Sequence, residues 1–447
     1  MTISNDACNG KRLSRRRFVL GTAAASAAML PGAAFAQNAL GELLQAPTRG
    51  NWDDQFDTRG SNVRQVASNS PVFSENTIYS LQEAINSYSA IVQGGGWPMV
   101  PEGETLKIGV QSRTVPVLRQ RLAIAGDLGN NAGGSPAFDT YVDAAVKRFQ
   151  ARHGLPADGV VSGHTYKAMN VGADLRLGQL QTNLQRLREK LATDLGQRYV
   201  VVNIPAASIE AVENGRVVQR HTAVVGKVDR QTPILDSRIT NLNLNPYWHA
   251  PVSIVRKDII PLMQKDPTYL ERNAIRIFDG NGQEIPPQTI DWNTEEAVKY
   301  LFRQDPGKIN AMASVKINFP NPHAVYMHDT PQQSLFSELM RFESSGCVRV
   351  QNVRDLIVWL ARDVPGWDRQ RIEQVIAARE RQDIDLLNPV PVHFTYVTAW
   401  ATDPTVVQFR DDIYHRDGVE QLAMSELTAT AYAPNQQNPY ARGDDGY

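Results

Sequence analysis

The amino-acid sequence predicts an α+β protein of several domains, in which a mainly-β region with an inserted cap follows a small three-helix module. Three observations predict this arrangement. Apolar residues recur at helical spacing within residues 105–171. Short β-branched runs separated by turn signals occupy much of residues 199–370. Prolines and short helical stretches interrupt that β pattern at about residues 245–310, which predicts a cap folded over a site.

The N-terminal segment has the features of an export signal. Three arginines, Arg15 to Arg17, precede an apolar stretch that ends in Ala34-Phe35-Ala36, the order of a charged region, an apolar region and a small-residue cleavage site. Paired arginines followed by Phe and Leu are typical of twin-arginine signals. We therefore expect residues 1–36 to direct export to the periplasm, with an ordinary secretory signal or an N-terminal anchor as the alternatives.

The charge balance argues against a nucleic-acid partner. The chain of 447 residues has 46 Lys and Arg against 47 Asp and Glu, so it lacks the basic excess that phosphate binding needs. No second long apolar run follows the leader, so we expect no membrane span after cleavage. The length predicts two or three domains, and the oligomeric state stays open.

The region between the leader and the β pattern is predicted to be helical. Residues 37–104 are interpreted as a polar arm and a helical scaffold, with one helix over residues 81–92 that ends at three glycines. Residues 105–171 form the three-helix module, in which Val142, Ala145, Val146 and Phe149 make one apolar stripe. Residues 172–198 are a helical connector.

The module resembles the peptidoglycan-binding domain. The sequence Ala-Val-x-x-Phe-Gln-x-x-His-Gly-Leu, which begins at Ala145, and the Asp-Gly-Val-Val that follows it carry this resemblance. It implies a module that binds glycan strands, and the alternative is a small bundle that only supports the rest of the chain. We expect Arg148 and Arg152 to lie on the exposed face of this module.

The β region begins with a hairpin. Three runs, at residues 199–204, 207–212 and 217–225, are β-branched and apolar, and Asn214-Gly215 separates the last two. This pair predicts a hairpin, because both residues of such a turn need positive φ. Further strands are expected at residues 315–319 and 324–329, and a helix at 353–360. A late strand at residues 391–397 falls in a C-terminal extension, 371–447, whose tail we expect to be disordered.

One thiol and one histidine carry the chemistry. Cys347 is the only cysteine after the leader, so it has no disulfide partner within the exported chain. In a strand over residues 324–329, Tyr326 and His328 share a face. A histidine that meets a thiol supplies the base that this nucleophile needs. His328 is expected either to take the proton or to hold an ion pair with a thiolate of lowered pKa.

The residues around the thiol predict supporting roles. Gly346 allows a tight turn, and the N–H groups of Gly346 and Cys347 can form an oxyanion hole beside Ser345. Arg349 lies two residues after Cys347, so an extended strand places both on one side, where Arg349 can hold a carboxylate or a loop carbonyl.

These residues resemble the catalytic domain of the L,D-transpeptidases (YkuD type). The family signature is a His, a gap, and Ser-His-Gly-Cys-hydrophobic-Arg; here Ser345 replaces the second His, as in the large periplasmic branch. The resemblance implies that Cys347 attacks the carbonyl after the L-centre of meso-diaminopimelate in a tetrapeptide stem and releases D-Ala. A second stem then accepts the acyl group as a 3–3 cross-link, and His328 shuttles the proton.

The same resemblance implies that Tyr326 and Trp248 line the substrate cleft, that peptidoglycan is the partner, and that no cofactor or metal is needed. The sequence leaves the acceptor open. Water, a free D-amino acid or a protein lysine would make the same site a carboxypeptidase or an attachment enzyme. A non-catalytic wall-binding protein is the alternative from another class, and the intact Cys347 and His328 argue against it.

Overall fold

The computed structural model describes residues 69–129 and 133–418. The export signal, the first part of the arm and the C-terminal tail lie outside these residues. In the part that is described, no helix is long and apolar enough to cross a membrane. The fold is α+β with several domains, as the sequence predicts.

The helices divide between the N-terminal half, the cap and the C-terminal part of the described chain. They are α1 (Glu75–Gln93), α2 (Val115–Ile124), α3 (Thr140–Arg152), α4 (Gly163–Met169), α5 (Ala173–Leu191), α6 (Val252–Ile254), α7 (Ile260–Lys265), α8 (Tyr269–Arg272), α9 (Val353–Ala361) and α10 (Arg369–Ala378). A π-helical turn, Val255–Ile259, joins α6 to α7.

The strands form one large sheet and two small ones. They are β1 (Arg198–Asn203), β2 (Ser208–Glu213), β3 (Arg216–Gly226), β4 (Leu235–Leu244), β5 (Trp248–Ala250), β6 (Ile275–Phe278), β7 (Glu284–Ile285), β8 (Leu301–Gln304), β9 (Val315–Asn318), β10 (Met327–His328), β11 (Phe342–Ser344), β12 (Val348–Val350), β13 (Gln382–Thr395), β14 (Ala399–Asp403) and β15 (Val406–Phe409). The large sheet has the order β11-β3-β12-β10-β9-β4-β13-β1-β2, with β2 also paired to β3.

The hairpin between β2 and β3 turns where the sequence predicts. Asn214 and Gly215 have φ values of 50° and 72°, the positive pair that a two-residue hairpin turn of this type requires. The turn matches the twist of the two strands and sets their register from Glu213 opposite Arg216.

Strand β1 is buried on both faces, which explains its continuous apolar run. Val200 and Val202 belong to the core beneath α9 and α10. Tyr199 and Val201 face the other way, into a second core shared with α1 and α5. A strand covered on both sides needs apolar residues at consecutive positions rather than at alternate ones.

Strand β13 joins the large sheet from the C-terminal part of the chain. It pairs parallel with β1 and antiparallel with β4, so a central strand of the large sheet lies beyond residue 370. The C-terminal extension predicted to begin at residue 371 therefore contributes a strand to the sheet of the region predicted at residues 199–370. A strand that pairs with partners about 140 to 190 residues earlier carries no local signal of that pairing.

The three-helix module packs around the predicted stripe. Val142, Ala145, Val146 and Phe149 are fully buried, and Asp139 caps α3 by accepting hydrogen bonds from the N–H groups of Tyr141 and Val142. Many further apolar residues from α2, α4 and the loops complete this core.

The expected exposure of Arg148 and Arg152 is wrong. Arg152 is 6% exposed, and its guanidinium holds both carboxylate oxygens of Asp127 at 2.7 and 2.5 Å. Arg148 donates to the backbone carbonyl of Asp127. Both side chains fix the loop after α2, because a cation in the last turns of a helix can reach back to a neighbouring loop as readily as to solvent.

The cap has a sheet and a core of its own. Strands β5, β8, β6 and β7 form a four-stranded antiparallel sheet. A separate apolar cluster packs against it, with Leu270, Ile277, Ala297 and Phe302 almost fully buried. The prediction of short helical pieces is therefore incomplete, since prolines interrupt the sequence pattern of this small sheet.

Candidate active site

The strand that carries His328 is shorter than predicted. Only Met327 and His328 form β10, and Ala324 has a φ of 54° that breaks the extended chain before it. The alternation nevertheless holds. Met327 points into the main core and is fully buried, so Tyr326 and His328 lie on the opposite face.

Strand register brings the motif residues to that same face. Strand β12 runs parallel to β10, with Val348 opposite Met327 and Arg349 opposite His328. Val348 is buried in the main core, so Cys347 and Arg349 lie on the side of Tyr326 and His328. Residues about twenty positions apart in sequence therefore form one surface, which is the candidate site.

The turn before Cys347 is held by its own side chains. The Ser344 hydroxyl donates to the Cys347 carbonyl at 2.5 Å and accepts from the Gly346 N–H at 3.1 Å. The Thr232 hydroxyl donates to the Gly346 carbonyl at 2.9 Å. Gly346 has a φ of 111°, and a Cβ there would lie 3.4 Å from the Gln231 carbonyl oxygen. The backbone conformation therefore favours glycine, whereas a Cβ at this distance would make little more than an ordinary contact.

Tyr326 is the hydrogen-bond partner of the thiol. Its backbone and its hydroxyl both bond Cys347 and lower the thiol pKa, as do the cations Lys316 and Arg349, but burial outweighs them and raises that pKa above its usual range. Burial, together with the nearby sulfur, raises the pKa of Tyr326 well above its ordinary value. Both groups therefore carry their protons at neutral pH in the resting state.

His328 is a neutral base. Its ring is buried, and Nδ1 donates to the Asp329 carbonyl at 2.5 Å. A carbonyl only accepts, so the proton of the neutral ring lies on Nδ1 and Nε2 is an acceptor. Burial first, and then the charge of Arg349, lower the pKa of His328 to about 3. The raised pKa of the Cys347 thiol and the lowered pKa of the His328 imidazole favour a neutral thiol and a neutral imidazole. They disfavour the ion pair that the sequence left as an alternative.

The remaining predicted residues occupy three different positions. Trp248, at the start of β5, is 9% exposed and hydrogen bonds Tyr326 from the cap. Arg349 donates to the side-chain carbonyl of Gln332 at 2.7 Å, so it holds a loop. Ser345 is exposed, and its hydroxyl accepts from Arg230 at 2.9 Å. It therefore lies at the edge of the turn.

The predicted oxyanion hole is only partly available. The Gly346 N–H is engaged by Ser344, so it has no free proton for a substrate. For the Cys347 N–H, no acceptor is found among residues 69–129 and 133–418. That group can bind a developing oxyanion.

A cavity of about 320 Å³ opens beside the turn. Its lining includes Arg230, Lys257, His323, Ser345 and Gly346. Arg230 also pairs with Asp258 of the cap at 2.6 Å. The cap and the cysteine turn therefore meet through one arginine at the wall of this cavity.

Sequence reasoning missed Lys316. It lies on β9 opposite His328, with its ammonium 4.4 Å from the centroid of the Tyr326 ring. The available signal was its position between the buried residues Val315 and Ile317, which predicts an outward side chain but not a neighbour.

Comparison with known families agrees with this geometry. Residues 197–376 match the model of the L,D-transpeptidase catalytic domain (YkuD), so the chain contains a catalytic domain of this family. Residues 111–169 match the model described as "Putative peptidoglycan binding domain". The two matches cover the catalytic region and the helical module in which the sequence carries its resemblances.

A curated relative from Haemophilus influenzae, named "Putative L,D-transpeptidase", is 33% identical over 250 residues, which are 56% of this chain and 50% of the relative. The chain spans about half the length of that relative.

Solved structures of L,D-transpeptidases also match. The enzyme from Xylanimonas cellulosilytica is 17% identical, with 66% of this chain and 99% of that chain covered and a TM-score of 0.22. The enzyme from Stackebrandtia nassauensis is 14% identical, with 66% and 96% covered and a TM-score of 0.25. These scores are too low to carry an argument about this chain.

Proposed function

We propose that this protein is a peptidoglycan L,D-transpeptidase that transfers an acyl group through Cys347. The observation that carries the proposal is the shared face of β10 and β12, on which a protonated thiol, the tyrosine hydroxyl that bonds it and a neutral imidazole all lie. A thiol nucleophile with a neutral base beside it is the arrangement that acyl transfer needs.

In the first half-reaction Cys347 attacks a peptide carbonyl of a tetrapeptide stem. Its proton passes to Nε2 of His328, and the new C–S bond produces a tetrahedral oxyanion. Collapse of that intermediate breaks the C–N bond, and the imidazolium returns the proton to the leaving D-Ala amine. The Cys347 N–H is the donor positioned for the oxyanion, and the thioester on sulfur is the product.

In the second half-reaction the side-chain amine of another stem attacks the thioester. His328 accepts a proton from the amine, the C–S bond breaks, and the thiol recovers its proton. The product is a 3–3 cross-link between stems. Trp248 and Tyr326 are the aromatic walls on the cap side of this cleft, since buried Trp248 hydrogen bonds half-buried Tyr326, which in turn hydrogen bonds the thiol.

The helical module is proposed to hold the glycan strand near this cleft. Binding at a second site on the same chain raises the local concentration of substrate without a change in the chemistry. Export by the twin-arginine route to the periplasm completes the proposal, because the wall lies there and the arginine pair precedes an apolar leader.

The test incubates the purified protein with a disaccharide-tetrapeptide and identifies the products by mass spectrometry. A cross-linked dimer that lacks one D-Ala supports transpeptidation. A tripeptide alone supports the carboxypeptidase, and exchange of the terminal residue supports D-amino-acid transfer.

Two variants assign the chemistry to named residues. Cys347→Ala should abolish product formation, and His328→Ala should lower the rate by roughly 10²–10⁴. His164→Ala is the matched control, because His164 is an exposed histidine of the module. Full product formation by Cys347→Ala would refute the mechanism.

A further inference from the structure

Lys316 has a position that the proposed reaction does not yet use. Across the antiparallel pair of β9 and β10 it lies opposite His328, and on its other side it lies opposite Asn243 of β4. Val315 and Ile317 are fully buried in the main core. Lys316 therefore faces the surface that carries Tyr326, His328 and the thiol.

The ammonium of Lys316 lies against the aromatic ring that bonds the sulfur. Its Nζ is 4.4 Å from the centroid of Tyr326, the distance of a cation–π contact. The Tyr326 hydroxyl in turn bonds Cys347. A short chain of contacts thus joins a cation on β9 to the sulfur at the start of β12.

The fold does not explain this cation by an ion pair. Within residues 69–129 and 133–418, no carboxylate lies within ion-pair distance of Lys316. The carboxylate whose charge acts on Lys316, Asp383 on β13, accepts hydrogen bonds from Asn243 and Arg381. A half-buried ammonium without an ion-pair partner costs free energy, which points to a role at the site.

We propose that Lys316 is a charge-stabilising residue of the acyl-transfer site, which holds a positive charge beside Cys347 while the sulfur loses its proton. The inference deepens the proposed function and concerns the same sulfur. The proton moves from Sγ to Nε2 of His328, so negative charge develops on sulfur and positive charge on the imidazole. A cation next to the sulfur stabilises the negative charge that develops on the sulfur and opposes the positive charge that develops on the imidazole.

Lys316 and Arg349, the two cations of the site, differ in whether they act more strongly on the thiol or on the imidazole. Lys316 lowers the pKa of the thiol more than Arg349 does. Arg349, opposite His328 in the register, lowers the pKa of the imidazole more than Lys316 does. Lys316 therefore acts mainly on the sulfur.

The groups that act on the pKa of the thiol are Tyr326, just before β10, Lys316 on β9 and Arg349 on β12. His328 of β10 faces the same surface, and Asp383 of β13 acts on Lys316. These groups are the ones whose titration can enter the profile of thiol reactivity.

The test measures thiol reactivity without any peptide. The full chain is alkylated with iodoacetamide from pH 6 to pH 11, and the peptide that contains Cys347 is quantified by mass spectrometry, so that Cys8 does not interfere. In Lys316→Met we expect the midpoint of the rate profile to rise by about one unit, because an opposite charge is lost. Lys316→Arg keeps the charge and should stay close to the unmodified protein. Lys308→Met, at an exposed lysine, is the matched control and should not shift.

The outcomes separate charge from packing. A Lys316→Met profile that superimposes on that of the unmodified protein overturns the inference, and so does an equal shift in Lys316→Arg. Lys316→Gln is the second neutral variant. If neither neutral variant folds by circular dichroism, Lys316 belongs to the fold and the inference is overturned. A protein with the expected shift that forms no product from tetrapeptide stems would reject the proposed function and leave this inference standing.

Discussion

The low pKa of His328 predicts how the acylation rate of Cys347 depends on pH below neutrality, on the acid limb of the pH–rate profile. This dependence is a direct test of the site. A free imidazole has a pKa near 6.5, and burial together with Arg349 brings that of His328 to about 3. At pH 5 an ordinary histidine is about 97% protonated, whereas one with a pKa of about 3 is about 1% protonated. A base that stays neutral at pH 5 keeps its acceptor nitrogen, so the acylation rate should not fall there.

We expect the Cys347 thiol to attack the ring carbonyl of a carbapenem as it attacks a peptide carbonyl, so the assay is stopped-flow acylation by a carbapenem between pH 4.5 and pH 8. We expect the rate at pH 5 to remain within about twofold of the rate at pH 7. An unperturbed histidine would instead lose roughly 25-fold over the same interval, since the neutral fraction follows the pKa directly. A limb with a midpoint between pH 6 and pH 7 would refute the assignment of a buried neutral base.

A charge variant extends the same test. Arg349→Met removes the cation opposite His328, so the imidazolium becomes less unfavourable. The midpoint of the limb should move up by about one unit, which requires the assay to be extended below pH 4.5. Arg354→Met, at an arginine paired with Glu373 on the helices behind the sheet, is the matched control. An identical limb in both variants would show that burial alone sets the pKa.

Three further predictions test other parts of the structure. Tyr326→Phe should slow carbapenem acylation about 10- to 100-fold at pH 7, since a hydrogen bond to a charged group is worth about 1.5–3 kcal/mol; an unchanged rate would contradict the bond to sulfur. Gly346→Ala should lower the free energy of unfolding by about 1–3 kcal/mol, because its φ of 111° strains any other residue. Equal denaturant midpoints of the two proteins would contradict that strain. Asp127→Ala should cost about 3–5 kcal/mol by leaving buried Arg152 unpaired, measured by thermal unfolding. Acylation of Cys347 in that variant should be unaffected at 15 °C, and a parallel loss would show that the module shapes the cleft.

The sequence predicted the elements whose signal is local. Asn214-Gly215 predicts the hairpin because Asn and Gly adopt the positive φ values of this turn more readily than other residues do. The stripe of α3 is readable because helical spacing repeats within a few residues. The pairing of β13 was not readable, since its partners in β1 and β4 lie far away in the chain.

The candidate site divides in the same way. Cys347, His328 and the common face of Tyr326 and His328 follow from residue type and from alternation along a strand. Outside the site, in the helical module, the burial of Arg152 could not be predicted, because the carboxylate that holds its guanidinium lies in a loop 25 residues away.

The sequence by itself therefore predicted a thiol nucleophile, an imidazole base and acyl transfer, since these predictions depend on which side chains are present. Tertiary structure decided which groups surround them. It places Lys316 next to Tyr326 and allows the Tyr326 hydroxyl to hydrogen bond the sulfur. It also buries His328, so that the pKa of the imidazole falls to about 3. Each of these properties depends on desolvation and on strands that pair across the sheet, and a pattern within one segment does not contain them.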